Sequence, residues 1–171
     1  MLRVAKSLKE LNFSSLMDVY MEGNKEKAEE SALGLQQGLL QAEQDFYQYL
    51  RECFFPVPDA VYAVWEENGQ YISAVRFEPY RDGTLLEALE TAPEHRGKGY
   101  AAKLVCAALL QLQLQKVYSH VSKKNTASLA LHERCGFVKV LDYAAYIDGS
   151  VNRNAVTLCW QRQESESERK T

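Results

Sequence analysis

The sequence predicts an α/β chain of mixed α+β type, with a mixed, twisted central sheet and helices on both faces. Three observations predict it. Short apolar runs flank Asn68-Gly69, a hairpin signal in which both residues accept positive φ, and Asp82-Gly83 marks another turn. Two longer stretches, 35–53 and 99–114, repeat their apolar residues at helical spacing instead. The order along the chain is helices, antiparallel meander, helix, strand, helix, two strands, which implies a mixed sheet covered by helices.

Each element has its own reason. Leu2 to Ala5 reads as a short first strand, and a helix is expected over Ser14 to Met21 with Ser14 or Ser15 as its cap. Asn24 to Ser31 is highly charged and reads as a loop or a weak helix. Leu35, Leu39, Ala42, Phe46, Leu50 and Cys53 form one apolar stripe, and Pro56 and Pro58 end that helix. Val61 to Glu66, Tyr71 to Phe77 and Thr84 to Ala92 make a three-stranded meander. Gly99 to Leu114 is an amphipathic helix with Ala101, Leu104, Val105, Ala108 and Leu112 on one face. Lys116 to Ser122 is a strand, and Asn125 opens a short helix that Gly136 closes. Phe137 to Ile147 and Ala155 to Trp160 are the last strands. Residues 1–162 are expected to form a single domain and 163–171 a solvated polar tail.

Composition narrows the function. The chain has 171 residues, 46% apolar and 25% charged, with a net charge of −3. That balance gives no reason to expect a nucleic-acid partner. No apolar run is long enough to span a bilayer, and the N-terminus lacks the apolar core of a signal peptide, so the expected location is cytoplasmic. Cys53, Cys106, Cys135 and Cys159 are widely spaced among apolar neighbours, which suits reduced core thiols rather than disulfides or a metal site.

The most informative segment is Thr91-Ala92-Pro93-Glu94-His95-Arg96-Gly97-Lys98-Gly99-Tyr100-Ala101-Ala102, between a strand and an amphipathic helix. Two glycines let the backbone turn tightly and approach a ligand. The first N–H groups of the helix have no partner within it, and with the positive end of the helix dipole they suit a phosphate. Arg96 and Lys98 add positive charge. A plain glycine turn that starts a helix has the same pattern. A P-loop requires Gly-Lys-Ser/Thr, but Gly99 follows Lys98. A dinucleotide fingerprint fits Gly97-x-Gly99-x-x-Ala102, yet Lys116 to Lys124 contains no acidic residue for the ribose.

Arg96-x-x-Gly99-x-Ala101 resembles the pyrophosphate-binding motif of the GNAT N-acetyltransferase superfamily, and Pro93 upstream is typical of it. Asn125 to Phe137, closing in Gly136-Phe137, is similar to that family's second block, with His132 where the family usually has Tyr. The resemblance covers roughly Thr84 to Phe137. It implies an acetyl-CoA-dependent N-acetyltransferase that moves an acetyl group directly to a primary amine, with no metal. It implies backbone groups of Leu89, Glu90 and Thr91 on the pantetheine and acetyl carbonyl, and N–H groups of Arg96, Gly97, Lys98, Gly99, Tyr100 and Ala101 on the pyrophosphate. Asn125 would contact the pantetheine arm as well as cap its helix. Glu87 and Glu90 are the candidate bases, although on an ideal strand they face opposite sides. A bulge, common in this strand of the family, would change that. His120 is a third candidate, and His95 is expected to be exposed in the loop. His132 is the candidate acid or hydrogen-bond donor to the leaving sulfur. The acceptor is a small-molecule amine or a peptide amine, in a pocket built by the N-terminal helices and the Phe137 to Ile147 region. Oligomeric state is open, a homodimer included. The alternative reading is a catalytically inactive GNAT-fold module that binds CoA for sensing or interaction, for which His132 in place of Tyr speaks.

Overall fold

A computed structural model describes residues 1–163. Strand β1 (Leu2–Ala5) pairs antiparallel with β2 (Val61–Glu67), and β2 with β3 (Gln70–Tyr80). The β2–β3 turn is the expected Asn68-Gly69, with φ of 51° and 81°, the two positive angles a tight hairpin needs. Strand β3 pairs with β4 (Gly83–Thr91) through Arg81 and Asp82. The positive φ there belongs to Arg81, at 52°, rather than to Gly83. Gly83 is required for another reason: a Cβ on it would meet the Lys116 carbonyl oxygen at 2.6 Å.

The second half completes a seven-stranded sheet. Strand β5 (Lys116–Ser122) lies parallel to β4, and β9 (Ala155–Gln161) pairs antiparallel with both β5 and β6 (Val138–Leu141). The sheet order is β1-β2-β3-β4-β5-β9-β6. The single strand expected over Phe137 to Ile147 is interrupted after Leu141. Ala144–Ala145 (β7) pairs instead with Val151–Asn152 (β8) in a small hairpin around Gly149.

Helices cover both faces, as the sequence predicts. On one side lie α1 (Phe13–Val19), α2 (Met21–Glu30) and α3 (Leu35–Tyr49), the last running into a wide turn at Leu50–Phe54. Leu16, Val19, Leu50 and Phe54 pack there on Tyr62, Val64 and Ala74. On the other side, Leu104, Val105 and Ala108 of α4 (Tyr100–Gln111) pack on Val75, Phe77, Leu86 and Val117, beside α5 (Thr126–Arg134). Each fully buried aliphatic side chain of this kind contributes about 1.5–3 kcal/mol.

The charged segment 24–31 lies, up to Glu30, in a regular helix, α2, because tertiary packing outweighs its weak pattern. It buries only Asn24 and Ala28, and Ala28 packs on Gly38 of α3 so closely that a Cβ there would lie 2.9 Å away. Cys135 and Cys159 are buried thiols, but Cys53 and Cys106 are exposed, contrary to the core placement expected of all four. The expected tail, 163–171, lies outside the described residues except for Gln163. Among the described residues no helix is long and apolar enough to cross a membrane.

Candidate active site

Strands β4 and β5 pair only from Thr84–Leu86 to Val117–Ser119. Beyond those three pairs β4 runs on to Thr91 and β5 to Ser122 without further pairing, leaving a gap. A bulge sits where the two strands part. Glu87 opposes Arg76 and Glu90 opposes Ala74, so Ala88 and Leu89 together face Val75. The extra residue restores parity: Glu87 and Glu90, three apart, project from the same face as Arg76 and Ala74. Ala88 holds φ +50°, and its carbonyl oxygen accepts a hydrogen bond from the Tyr20 hydroxyl at 2.7 Å.

The glycine segment closes one end of the gap. Pro93–His95 forms a helical turn, Gly97 and Gly99 hold φ of 74° and 82°, and Gly99 caps α4. A Cβ on either glycine would meet no atom within 4 Å, so the space above the turn is open. The resulting cleft has a volume of about 790 Å³. Leu89, Glu90, Thr91, Arg96, Gly97, Lys98, Gly99, Tyr100, Ala101 and Asn125, the ten residues expected to hold a cofactor, all line it.

Side chains in the turn are committed elsewhere. Arg96 donates from Nε to the Thr91 carbonyl and from Nη2 to Glu90 Oε1, both at 3.1 Å, and pairs through Nη1 with Glu22 of α2. Lys98 Nζ donates to the Glu94 carbonyl at 2.9 Å, and the Tyr100 hydroxyl to Glu67 Oε2 at 2.8 Å. An anion at this turn would therefore meet chiefly the backbone N–H groups at the start of α4. His95 is half-buried rather than exposed, its ring edge-on to Tyr100 with centroids 5.9 Å apart.

A second cavity of about 310 Å³ continues the cleft along the gap, sharing Leu89, Asn125 and Ser128 with it. Asn125 is the cap expected of it, Oδ1 accepting from the Ser128 N–H at 3.0 Å. His132 lines this cavity from two helical turns on and is only 1% exposed. Its Nδ1 lies 2.8 Å from the Ser128 carbonyl oxygen. A carbonyl only accepts, so the geometry assigns the proton to Nδ1 and leaves Nε2 as a lone pair in the neutral ring. Nε2 is buried with no hydrogen-bond partner among the described residues. Burial holds the His132 pKa below the ordinary 6.5.

His120 faces the same cavity with Nδ1 3.1 Å from Thr157 Oγ1. The rings of Tyr80 and Tyr146 stand edge-on to it at 5.5 and 5.2 Å. Burial lowers its pKa too. Both candidate carboxylates are ion-paired: Glu90 with Arg96, and Glu87 with Arg76, Nη2 to Oε1 at 3.1 Å. Arg76 itself lies over the rings of Tyr49 and Phe54, 4.9 and 5.5 Å from their centroids. The third acidic group here escaped the sequence reading. Glu78 is pushed up to about 7, first by burial and then by the nearby Glu87 carboxylate. Its signal was present as Arg76-x-Glu78, two charges on one face of an otherwise apolar strand. A third cavity, of about 470 Å³, opens on the helical side of Ala88, walled by Tyr20, Asn24, Asp45, Phe46, Tyr49 and Arg76 among others.

Comparisons with known proteins bear on the family and the fold. A family model described as the acetyltransferase (GNAT) family matches residues 26–137. Over 52 residues the chain is 46% identical to spermidine N(1)-acetyltransferase of Vibrio cholerae, an alignment of 28% of this chain and 30% of that protein. Over 80 residues it is 34% identical to an SPbeta prophage-derived uncharacterized N-acetyltransferase of Bacillus subtilis, covering 40% and 45%. The chain thus spans less than half the length of either curated relative. Among solved structures, PH1933 of Pyrococcus horikoshii superposes with a TM-score of 0.65 at 20% identity, over 96% of this chain and 100% of that one. PaiA N-acetyltransferase of Thermoplasma acidophilum, in complex with coenzyme A, does so with 0.63 at 12% identity, over 95% and 99%. At such identities these two likenesses concern the fold.

Proposed function

The chain belongs to the acetyltransferase (GNAT) family, and from that premise we propose that it transfers an acetyl group from acetyl-CoA directly to a primary amine of a small molecule. The observation that carries the proposal is the continuity of two features: the open glycine turn at the start of α4 and the gap between β4 and β5. A pyrophosphate on the turn and a pantetheine arm in the gap would bring the thioester to the bulge at Ala88.

The residues then have distinct tasks. Backbone N–H groups from Arg96 to Ala101 hold the pyrophosphate, and Leu89 to Thr91 hold the arm and the acetyl carbonyl. Asn125 contacts the arm from the opposite wall. The acceptor arrives as an ammonium and must lose one proton before it attacks. Glu87 or Glu90 assists that loss, through water, from the face on which both lie. The amine nitrogen attacks the carbonyl carbon, a backbone N–H of β4 meets the developing oxyanion, and the carbon–sulfur bond breaks. Of the two protons the nitrogen sheds overall, one ends on the thiolate and one in solvent. His132, in its charged form, is the donor we assign to the sulfur.

Support for a small acceptor comes from the cavity beside Ala88 and from the relative named for spermidine. The proposed location is the cytoplasm, where acetyl-CoA is supplied. One observation favours a second reading, a CoA-binding module without turnover: Glu87 and Glu90 are both engaged by arginines. Two assays decide between them. Thermal shift with acetyl-CoA, CoA and NAD is expected to single out the first two ligands. Thiol release over a panel of polyamines, amino acids and peptide amines is expected to find at least one substrate. Binding without release across the whole panel would favour the module.

A further inference from the structure

The bulge requires something to hold it. Ala88 occupies the left-handed region, which L-residues rarely adopt, and its methyl group is exposed, so packing does not explain the conformation. What meets it is a hydroxyl. Tyr20, the residue between α1 and α2, donates to the Ala88 carbonyl at 2.7 Å. The Tyr20 oxygen in turn accepts from the Tyr62 hydroxyl, also at 2.7 Å. The direction of this chain is fixed, because a carbonyl only accepts. Burial raises the pKa of both phenols, so both protons stay in place. Tyr62 is fully buried, and the Tyr20 ring is tilted against Phe46 at 5.4 Å. The clamp is therefore anchored in the core rather than in solvent.

A trans peptide points its carbonyl and its N–H in opposite directions. Pinning the Ala88 oxygen thus also fixes the Leu89 N–H, and Leu89 lines both the cleft and the gap. We infer that Tyr20 is a positioning residue for acetyl transfer: its hydroxyl, backed by Tyr62, holds the Ala88–Leu89 peptide so that the Leu89 N–H stays turned to the acetyl carbonyl. The inference rests on the transfer reaction proposed above. It makes the helical layer, which carries neither block of the cofactor motif, a working part of the catalytic strand.

Tyr20→Phe keeps the ring and its Phe46 contact and removes one oxygen. Its kcat should fall at least about tenfold, since small misplacements of a reacting group cost up to ~10² and loss of an oxyanion donor ~10² to 10³. KM for acetyl-CoA should stay within about twofold, because the α4 turn binds independently of the clamp. Tyr62→Phe leaves the Tyr20 bond in place and should give a smaller loss of kcat. The second readout needs no turnover: hydrogen exchange at the Leu89 amide of the CoA-bound protein, which should quicken about tenfold in Tyr20→Phe, with Gly99 to Ala101 unchanged. Unchanged kcat and unchanged Leu89 exchange overturn the inference. So does a uniform acceleration along β4 with kcat falling only as the folded fraction falls, because the clamp would then be merely structural. If the parent acetylates no amine, the transfer proposal fails, and Leu89 exchange still decides whether Tyr20 holds the peptide.

Discussion

Replacing Gly99 by valine strikes the turn at its most constrained backbone position. Gly99 holds φ +82° as the cap of α4, and nothing in the protein stands where a Cβ would go. The cost is therefore conformational, roughly 1–2 kcal/mol for an L-residue held in the left-handed region. If the turn sheds that strain by leaving the region, about one molecule in 5 to one in 30 keeps the binding geometry, and affinity falls by the same factor. The isopropyl group adds to the loss, because it enters the open space that the proposal gives to the pyrophosphate. The expected outcome is a loss of CoA affinity of at least about 30-fold, or ~2 kcal/mol. The same strain retained in the folded state would lower the melting midpoint by only about 2–8 °C. Calorimetric titration of CoA beside thermal unfolding separates the two effects, and Gly99→Ala should fall at the milder end of both. A folded Gly99→Val protein that binds CoA as tightly as the parent would show that the phosphates do not sit on this turn.

Further expectations follow from individual groups. Arg96→Ala should lower the melting midpoint by a few degrees, since it unties β4 from α2, yet weaken CoA less than about tenfold, because the backbone donors remain; a titration showing loss of binding would mean the guanidinium itself holds the phosphates. Glu78 is raised from 4.5 to about 7 by burial and then by Glu87, so the stability it contributes is present below its unfolded pKa and is lost as pH rises through about 7. Glu78→Gln has no proton to lose, and its melting midpoint should gain on the parent between about pH 5 and pH 8; parallel curves would contradict the shift. His132→Phe should cut kcat by ~10² or more while sparing acetyl-CoA affinity. Burial lowers the His132 pKa, so the charged donor is scarce at neutral pH and the parent's advantage should grow as pH falls, which a kcat profile reads directly.

The parts legible in the sequence are those whose chemistry is local. Positive φ at Gly97 and Gly99 falls on the residue type made for it, so the turn itself is readable. Asn125 announces its helix by its own side chain, and its Oδ1 does accept from Ser128. The bulge is different. Its left-handed residue is Ala88, and the group that holds it comes from 68 positions away. No local pattern marks it, so strand parity alone would have put Glu87 and Glu90 on opposite faces. The segment 24–31 was obscured likewise, since its helix is stabilised by a close approach of Ala28 to Gly38 rather than by a stripe of its own. The ion pairs that occupy Glu87, Glu90 and Arg96 depend on the folded backbone too, Arg96 reaching Glu22 across 74 positions.

The proposed reaction is direct acetyl transfer to an amine from a thioester bound on the α4 turn. Its most direct measurement is a single-turnover reaction with acetyl-CoA labelled in the acetyl carbonyl, the protein in excess, and an amine found by thiol release. One labelled acetamide is expected per thiol released, with no label covalently attached to the denatured protein at any time, and with a much slower reaction in Gly99→Val at limiting acetyl-CoA. Label covalently retained on the denatured protein, or thiol released without acetamide, would contradict direct transfer.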